Sequence, residues 1–264
     1  MNGRMLAAIT TGLFGLALTA QCLAADSGWF VSLGAFAPKA STNIRVNAQN
    51  GTLGTDLHLE TDLGLPDRRV VPQATFGYRF TARSSLEFSY FDLRRTGSRV
   101  IDENISYDGQ NYQINTLVST FSDSQTKFVQ YRYTFLDTPG WKLSAAAGLH
   151  STRFTLGLSD ISTGESQSAN ATVPLPLVGL RALYDADGWR LHAEATYFSM
   201  RVNSIHGHLN DYTLGVARRL PYQLSAELGF TRFVLIMTAQ RATLSGTGRF
   251  AYQGPFLTLC YGCL

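Results

Sequence analysis

The chain has 264 residues, with 22 Lys plus Arg against 19 Asp plus Glu, a formal net charge of +3 and only 16% charged side chains. With 24 Gly, 12% aromatics and a mean hydropathy of -0.03, it is too apolar for a disordered chain. No basic run occurs, which excludes nucleic acid as a partner. Beyond residue 25 no apolar stretch approaches the ~20 residues that a helix needs to cross a bilayer.

The first segment reads as an export signal. Arg4 precedes an apolar run from Met5 to Leu18 and small residues at Ala20, Ala24 and Ala25, the layout of a secretory signal peptide. Residues 1–24 are therefore expected to be the leader, with cleavage after Ala24 or Ala25, and residues 25–264 the mature domain. Gln21 is too large for the small-residue rule that would make Cys22 a lipid attachment site.

From Gly28 onward the dominant period is two, the signature of strands. In chain order the runs are Gly28 to Phe36, Ala74 to Phe80, Leu86 to Leu93, Lys127 to Phe135, Trp141 to Leu149, Val178 to Tyr184, Trp189 to Phe198, Tyr212 to Val216, Leu224 to Phe230 and Phe256 to Tyr261. Short links at Thr81 to Ser84, Asp137 to Gly140, Asp185 to Gly188 and Leu220 to Tyr222 alternate with longer polar segments. The latter are Pro38 to Val70, Asp102 to Asn115, Ser159 to Thr172, Asn203 to Leu209 and Gln240 to Gly248. Such alternation puts all tight turns on one side of a membrane and all loops on the other. The expectation is an all-β, closed antiparallel transmembrane barrel of about ten strands. Eight or twelve remain open, because Thr42 to Val46 with Asp56 to Glu60 can add a hairpin.

One face of each run is oily and the other polar, as in Val129, Tyr131, Tyr133 and Phe135 against Gln130, Arg132 and Thr134. An outer-membrane barrel carries the oily face outside. Trp29, Trp141 and Trp189 stand at turn-side strand ends, level with Phe80, Tyr133, Phe135, Tyr184 and Tyr222, and together read as an interfacial aromatic belt. The inward faces gather Arg79, Glu87, Arg132, Lys142, Arg181, Arg190, Glu194 and Glu227. That set reads first as a paired charge network filling a narrow lumen, and second as a constricted path for small solutes.

Catalytic signals are thin. His150 and Ser151 are adjacent and so face opposite ways in a strand. His206 and His208 share a face, with Ser204 and Asp211 nearby, but two His make a weak metal signal. Asp56, Glu60, Asp62 and Asp67 read as a solvated acidic loop. Cys260 and Cys263, in extended chain, would stand about 10 Å apart on opposite faces, beyond the ~7 Å limit for a disulfide. They are expected to be incidental.

This layout resembles the small bacterial outer-membrane barrels, such as the OmpW, OmpX and OmpA transmembrane-domain families. It does so in architecture over the whole mature chain, without a sharp motif. Such proteins end in an aromatic residue, whereas this chain ends Cys260, Tyr261, Gly262, Cys263, Leu264, with Tyr261 standing in. The resemblance implies an outer-membrane location, with outer-membrane lipid, lipopolysaccharide and the barrel assembly machinery as partners. The thin catalytic and metal signals lead us to expect no cofactor, no metal and no enzyme activity. The expected role is structural or limited small-solute permeation. Surface binding through the long loops is the alternative, and lipid modification the more remote one.

Overall fold

The computed structural model describes residues 28–47, 54–107, 109–202, 205–241 and 244–263; the expected leader and Ser204 lie outside them. In chain order the strands are β1 (Gly28–Phe36), β2 (Lys39–Asn47), β3 (Leu57–His58), β4 (Val71–Thr81), β5 (Ser84–Val100), β6 (Ile105–Tyr107), β7 (Gln110–Tyr112), β8 (Leu117–Thr138), β9 (Trp141–Asp160), β10 (Ser166–Ala186), β11 (Trp189–Val202), β12 (Ile205–Arg219), β13 (Leu224–Arg241) and β14 (Leu244–Tyr261). β1, β4, β5 and β8 through β14 pair antiparallel in that order, and β1 also pairs with β14, so ten strands close a ring. Each of the ten runs read from the sequence lies within one of these strands.

β2 continues β1 upward along β14 rather than starting an eleventh stave. Phe36 faces Phe256 and Lys39 faces Gln253 with no change of register, and the Ala37 N–H donates to Pro255 O at 3.0 Å. The extra hairpin weighed from the sequence does form, as Ile44 opposite Leu57, but it caps this continuation.

The turn end follows local chemistry. Asp187 and Gly188 both have positive φ, 48° and 77°, between the paired Ala186 and Trp189, which matches the strand twist of a two-residue hairpin. Pro139 and Gly140, with Gly140 at φ 85°, make the corresponding link between Thr138 and Trp141.

The far end corrects the sequence reading. Ser159 to Thr172 is not a long loop, because β9 runs to Asp160 and β10 starts at Ser166. Asn203 to Leu209 and Gln240 to Gly248 are likewise mostly strand, and Pro38 to Val70 begins as β2. Backbone pairing continues where outward side chains turn polar, so loss of the oily face was not loss of strand. β8 alone has 22 residues, on the order of 75 Å of strand. At ~40° tilt that is about 57 Å of height, roughly twice the ~25 Å apolar band of a membrane barrel.

The two faces exchange character along the ring. Near the turn end, outward Trp29, Phe76, Tyr131, Leu149, Leu214 and Leu257 are exposed, while inward Glu87, Gln130, Arg132 and Ser144 are buried. Towards the far end, inward Val118, Leu158, Leu175, Leu209 and Leu235 are buried, while outward Arg94, Lys127, Arg153 and Arg201 are exposed. On β13 the outward order Leu228, Phe230, Arg232 accompanies the inward order Glu227, Thr231, Phe233, Leu235. The lower half is thus oily outside and polar inside, as for a barrel standing in lipid, and the upper half is oily inside and mostly polar outside, with Val100, Leu117, Phe121 and Ile236 as exposed apolar exceptions.

Chain between the strands fills the upper lumen. Leu57, Leu59, Leu63 and Leu65 join Ile101, Ile105, Tyr107 and Tyr112 in one buried cluster with Val118, Leu156 and Leu158 of the wall. The β6–β7 hairpin is pinned to that wall by Tyr107 Oη donating to Leu156 O at 3.1 Å and Tyr112 Oη donating to Leu158 O at 3.2 Å. Each fully buried leucine stabilises the plug by ~1.5–3 kcal/mol relative to exposure.

Candidate functional site

The polar chemistry of the molecule gathers in the lower lumen, where inward positions of neighbouring strands meet. Arg132 of β8 donates through Nε to Glu87 Oε1 of β5 at 3.0 Å and through Nη2 to Glu194 Oε1 of β11 at 3.1 Å. Arg181 of β10 donates through Nε to Glu194 Oε2 at 2.6 Å, and Gln130 donates to Glu87 Oε2 at 2.7 Å. Two carboxylates and two guanidiniums thus form one neutral chain across the lumen, the Arg132 side chain only 7% exposed. Its Nη1 alone is buried without a hydrogen-bond partner. Burial of four charges is tolerable because each has a counter-charge in hydrogen-bond contact.

The other residues picked from the sequence stay outside this chain. Glu227 lies 3.6 Å from His192, Lys142 lies 3.5 Å from Asp137, and Arg190 makes a two-point contact with Asp185 at 2.8 Å in each bond. Arg79 donates to Gly262 O at 3.3 Å and stands over the Phe30 ring. A cavity of about 550 Å³ surrounds the ion-pair chain, lined towards the turn end by Arg79, Lys142, Arg190 and Glu227 and on the far side by Phe128, Thr196 and Asp211. The network fills part of the lumen and leaves a polar chamber around it.

The chain terminus overturns one expectation. Cys260 and Cys263 form a disulfide, with their Cα atoms 5.9 Å apart. Gly262 at φ 75° turns the chain inward, which an extended-strand reading did not allow. Arg190 Nη1 donates to Cys263 O at 3.1 Å, so Arg79 and Arg190 together hold the tail at the chamber mouth.

The aromatics read as a belt gather at the turn end. Trp29 is 61% exposed, and Phe80, Tyr133, Phe135, Trp141 and Trp189 stand outward at the same end. Tyr184 packs on Trp141 at 4.9 Å between ring centres, Arg218 covers Trp189 at 4.9 Å, and Tyr222 projects from its turn at 88% exposure.

Among the described residues the weighed catalytic groups do not meet. His150 is buried inward against Thr152 Oγ1 at 2.7 Å and stacks on Phe233. His208 lies outward beside Asn210, whereas Asp211 points inward and accepts a hydrogen bond from Thr231 Oγ1 at 2.9 Å. No group of three or more His, Cys, Asp or Glu suited to a metal occurs among the described residues. Of the first-loop acids only Glu60 is largely buried, 2.5 Å from Arg95; Asp56 pairs with Arg45 and Asp67 lies 3.8 Å from Lys39 while both stay about half exposed, and Asp62 accepts from the His58 amide. Arg95, inward and 4% exposed, also donates to Thr42 Oγ1 at 2.9 Å and so locks the plug to the wall. Its inward parity with Leu93 was the sequence signal for this lock, but the partner comes from a segment 35 residues away.

No protein-family model and no curated protein sequence matches the chain. Among solved structures it is similar to the outer membrane protease OmpT from Escherichia coli, with a TM-score of 0.55 at 11% identity over 88% of this chain and 96% of that one. The translocator domain of the autotransporter NalP from Neisseria meningitidis matches at a TM-score of 0.41 and 10% identity, covering 89% of this chain and 88% of that one. The attachment invasion locus protein Ail of Yersinia pestis matches at 0.38 and 10%, covering 88% and 98%. The likeness to OmpT extends to the fold: this chain has the fold of an outer-membrane β-barrel.

Proposed function

We propose that the chain is an integral barrel of a bacterial outer membrane, with its turn end in the periplasm, whose role is structural and surface-presenting rather than that of an open channel. The observation that carries this reading is the exchange of faces along the long strands of the wall, together with the apolar plug of Leu57, Leu59, Leu63 and Leu65 where a channel would need an exit. The export leader expected at residues 1–24 and the belt of Trp29, Trp141 and Trp189 support the location. The reading includes no catalysis: among the described residues His150 and Ser151, and likewise His208 and Asp211, point to opposite faces of the wall.

Two measurements test it. In planar bilayers the purified barrel should show no steady ion conductance; a stable open state would replace the structural role with permeation. An epitope inserted after Gly164, whose surroundings are open, should be labelled on intact cells. One at Asp187 should stay hidden until the outer membrane is permeabilised, and the opposite pattern would invert the orientation.

A further inference from the structure

We propose that the upper edge of β10, Ser166 to Thr172, binds an extended peptide that adds a strand to the wall, with apolar residues turned inward and an acidic residue at its lower end. The inference rests on the membrane reading above, which turns this edge to the outside, and adds a ligand class to it.

The wall parts along the line between β10 and β11. These strands pair from Ala186–Trp189 up to Val178–Tyr197 and, among the described residues, no further, although β10 stays paired with β9 up to Ser166 and β11 with β12 up to Val202. Local chemistry is the cause. Ala186 and Trp189 close a two-residue turn and so exchange both backbone bonds, and by alternation every even-numbered residue of β10 turns its N–H and C=O towards β11. Pro174 and Pro176 fall on that parity and have no N–H to give. The foot of the parting is sealed from within by Leu175, Leu177, Phe198 and Leu209, which belong to one buried cluster. Higher up no strand stands alongside among the described residues, for in the same register Val202, where β11 ends, is level with Val173. Ser166, Ser168, Asn170 and Thr172 therefore turn their backbone N–H and C=O groups to a vacant side. Exposed edges normally carry charge, proline or a cover. Ser166 to Thr172 has neither charge nor proline, whereas the unpaired upper length of β5 carries Arg94, Arg95 and Arg99 and has Gly64 of the plug against Gly97.

The space behind this edge specifies the occupant. An apolar slot of about 100 Å³ lies against Ala169 and Ala171, with Phe154, Leu156, Met237 and Phe250 around it. A ~150 Å³ apolar cavity takes up benzene, so this slot has room for an aliphatic side chain. A strand laid antiparallel on β10 alternates in phase with it. Its residues opposite Ala169 and Ala171 turn into the slot, and those opposite Ser168, Asn170 and Thr172 turn outward. Charge complementarity fixes the lower end. Arg201, exposed near the top of β11, and Arg153, exposed and paired with Thr172 on the β9 side, flank that position, and among the described residues neither has an ion pair. A carboxylate opposite Thr172 lies two strands from Arg153, about 10 Å between backbones, and directly above Arg201, within reach of both side chains. A second copy in the same membrane does not fit the edge. A two-fold axis along the membrane normal leaves both β10 strands running the same way with opposite tilts, so their edges cross rather than align.

The test uses the full mature chain refolded in neutral detergent micelles, with a dye-labelled Asp-Val-Thr-Val-Thr-Val-Lys peptide as probe and fluorescence anisotropy as readout. The folded barrel should bind it. The same peptide N-methylated at both threonines keeps every side chain but lacks the N–H groups aimed at Asn170 and Ser168. With each hydrogen bond worth roughly two- to tenfold, it should bind at least about fivefold more weakly. Ser168→Pro with Asn170→Pro should lose as much, and because these positions share the parity of Pro174 and Pro176, pairing with β9 should survive. Faster migration of the unboiled chain on a detergent gel checks that it does. Ala171→Phe, which fills the slot, should weaken binding likewise, and Arg153→Gln with Arg201→Gln should weaken binding of this peptide but not of its Asn counterpart. Undiminished binding of the N-methylated peptide, or by the folded proline or Ala171→Phe variants, overturns the proposal, as does a folded barrel that ignores the probe. Barrel dimers that the proline pair disperses would give the edge to a second copy and overturn it too. If the unboiled and boiled wild-type chains migrate alike, the membrane reading falls and this proposal falls with it. Binding in micelles without labelling of intact cells by the same peptide would overturn the outward orientation and leave the site standing.

Discussion

The face assignment is most directly tested by placing one charge on each side of the wall at similar depth. Leu228 is 56% exposed on the outward face of β13, four residues from Leu224 at the turn end and four from Arg232 at the upper edge. At ~3.4 Å per residue and ~40° tilt, each span is about 10 Å of depth, so Leu228 stands near the middle of a ~25 Å apolar band. Leu228→Arg is therefore expected to cost ~2–4 kcal/mol. Ser144 points inward on β9, lines the 550 Å³ chamber and shares a hydrogen bond of 2.9 Å with Thr134. An arginine there loses that bond, about 1 kcal/mol, but has a wet chamber into which to extend. The difference of ~1–3 kcal/mol amounts to roughly a fivefold to 150-fold change in the folding equilibrium. Urea titration in phosphatidylcholine vesicles, followed by tryptophan emission and gel migration, measures it. Equal costs for the two substitutions, with Leu143→Arg as a second lipid-facing probe, would show the faces to be wrongly assigned.

Three further outcomes follow from the same geometry. Arg132→Met leaves Glu87 and Glu194 buried with a partner lost and should destabilise the barrel by ~3–5 kcal/mol; adding Glu87→Gln and Glu194→Gln should recover part of this in the same titration. Leu63, 0% exposed in the plug, should cost ~2–5 kcal/mol as Leu63→Ala, and Leu63→Asp should raise bilayer conductance if the plug is what closes the lumen. Asp160 accepts hydrogen bonds from the Ser162 hydroxyl at 2.6 Å and the Ser162 amide at 2.7 Å, the hydroxyl contact chiefly holding its carboxyl below the ordinary value of 3.8. A lowered value means the turn is fully supported above pH 3.8 and loses that support as the pH falls below it. Amide exchange at Ser162 and Thr163 should then rise relative to exchange in the β9 wall, while Asp160→Ala should exchange fast at every pH.

Much of the barrel was legible in the chain because side-chain parity is a local property. Tyr131 and Tyr133 face out and Arg132 faces in wherever the strand is placed, and Asp187 with Gly188 or Pro139 with Gly140 make tight turns from their own backbone preferences. Ten runs, one oily face and Trp residues at the turn end therefore follow from residue order alone. What the tertiary structure decided depends on which strands become neighbours and how they are staggered, and ring closure sets these for the whole molecule at once. The partners of Arg132 lie 45 and 62 residues away, so no short-range pattern selects Glu87 and Glu194 from the other inward charges. Nor does alternation show that β9 and β10 stay paired up to Asp160 and Ser166, because above the oily band the outward residues are polar, as in a loop. The disulfide escaped for a related reason: extended geometry separates Cys260 from Cys263, and the inward turn at Gly262 that joins them is held by Arg79 and Arg190 from distant strands of the closed ring.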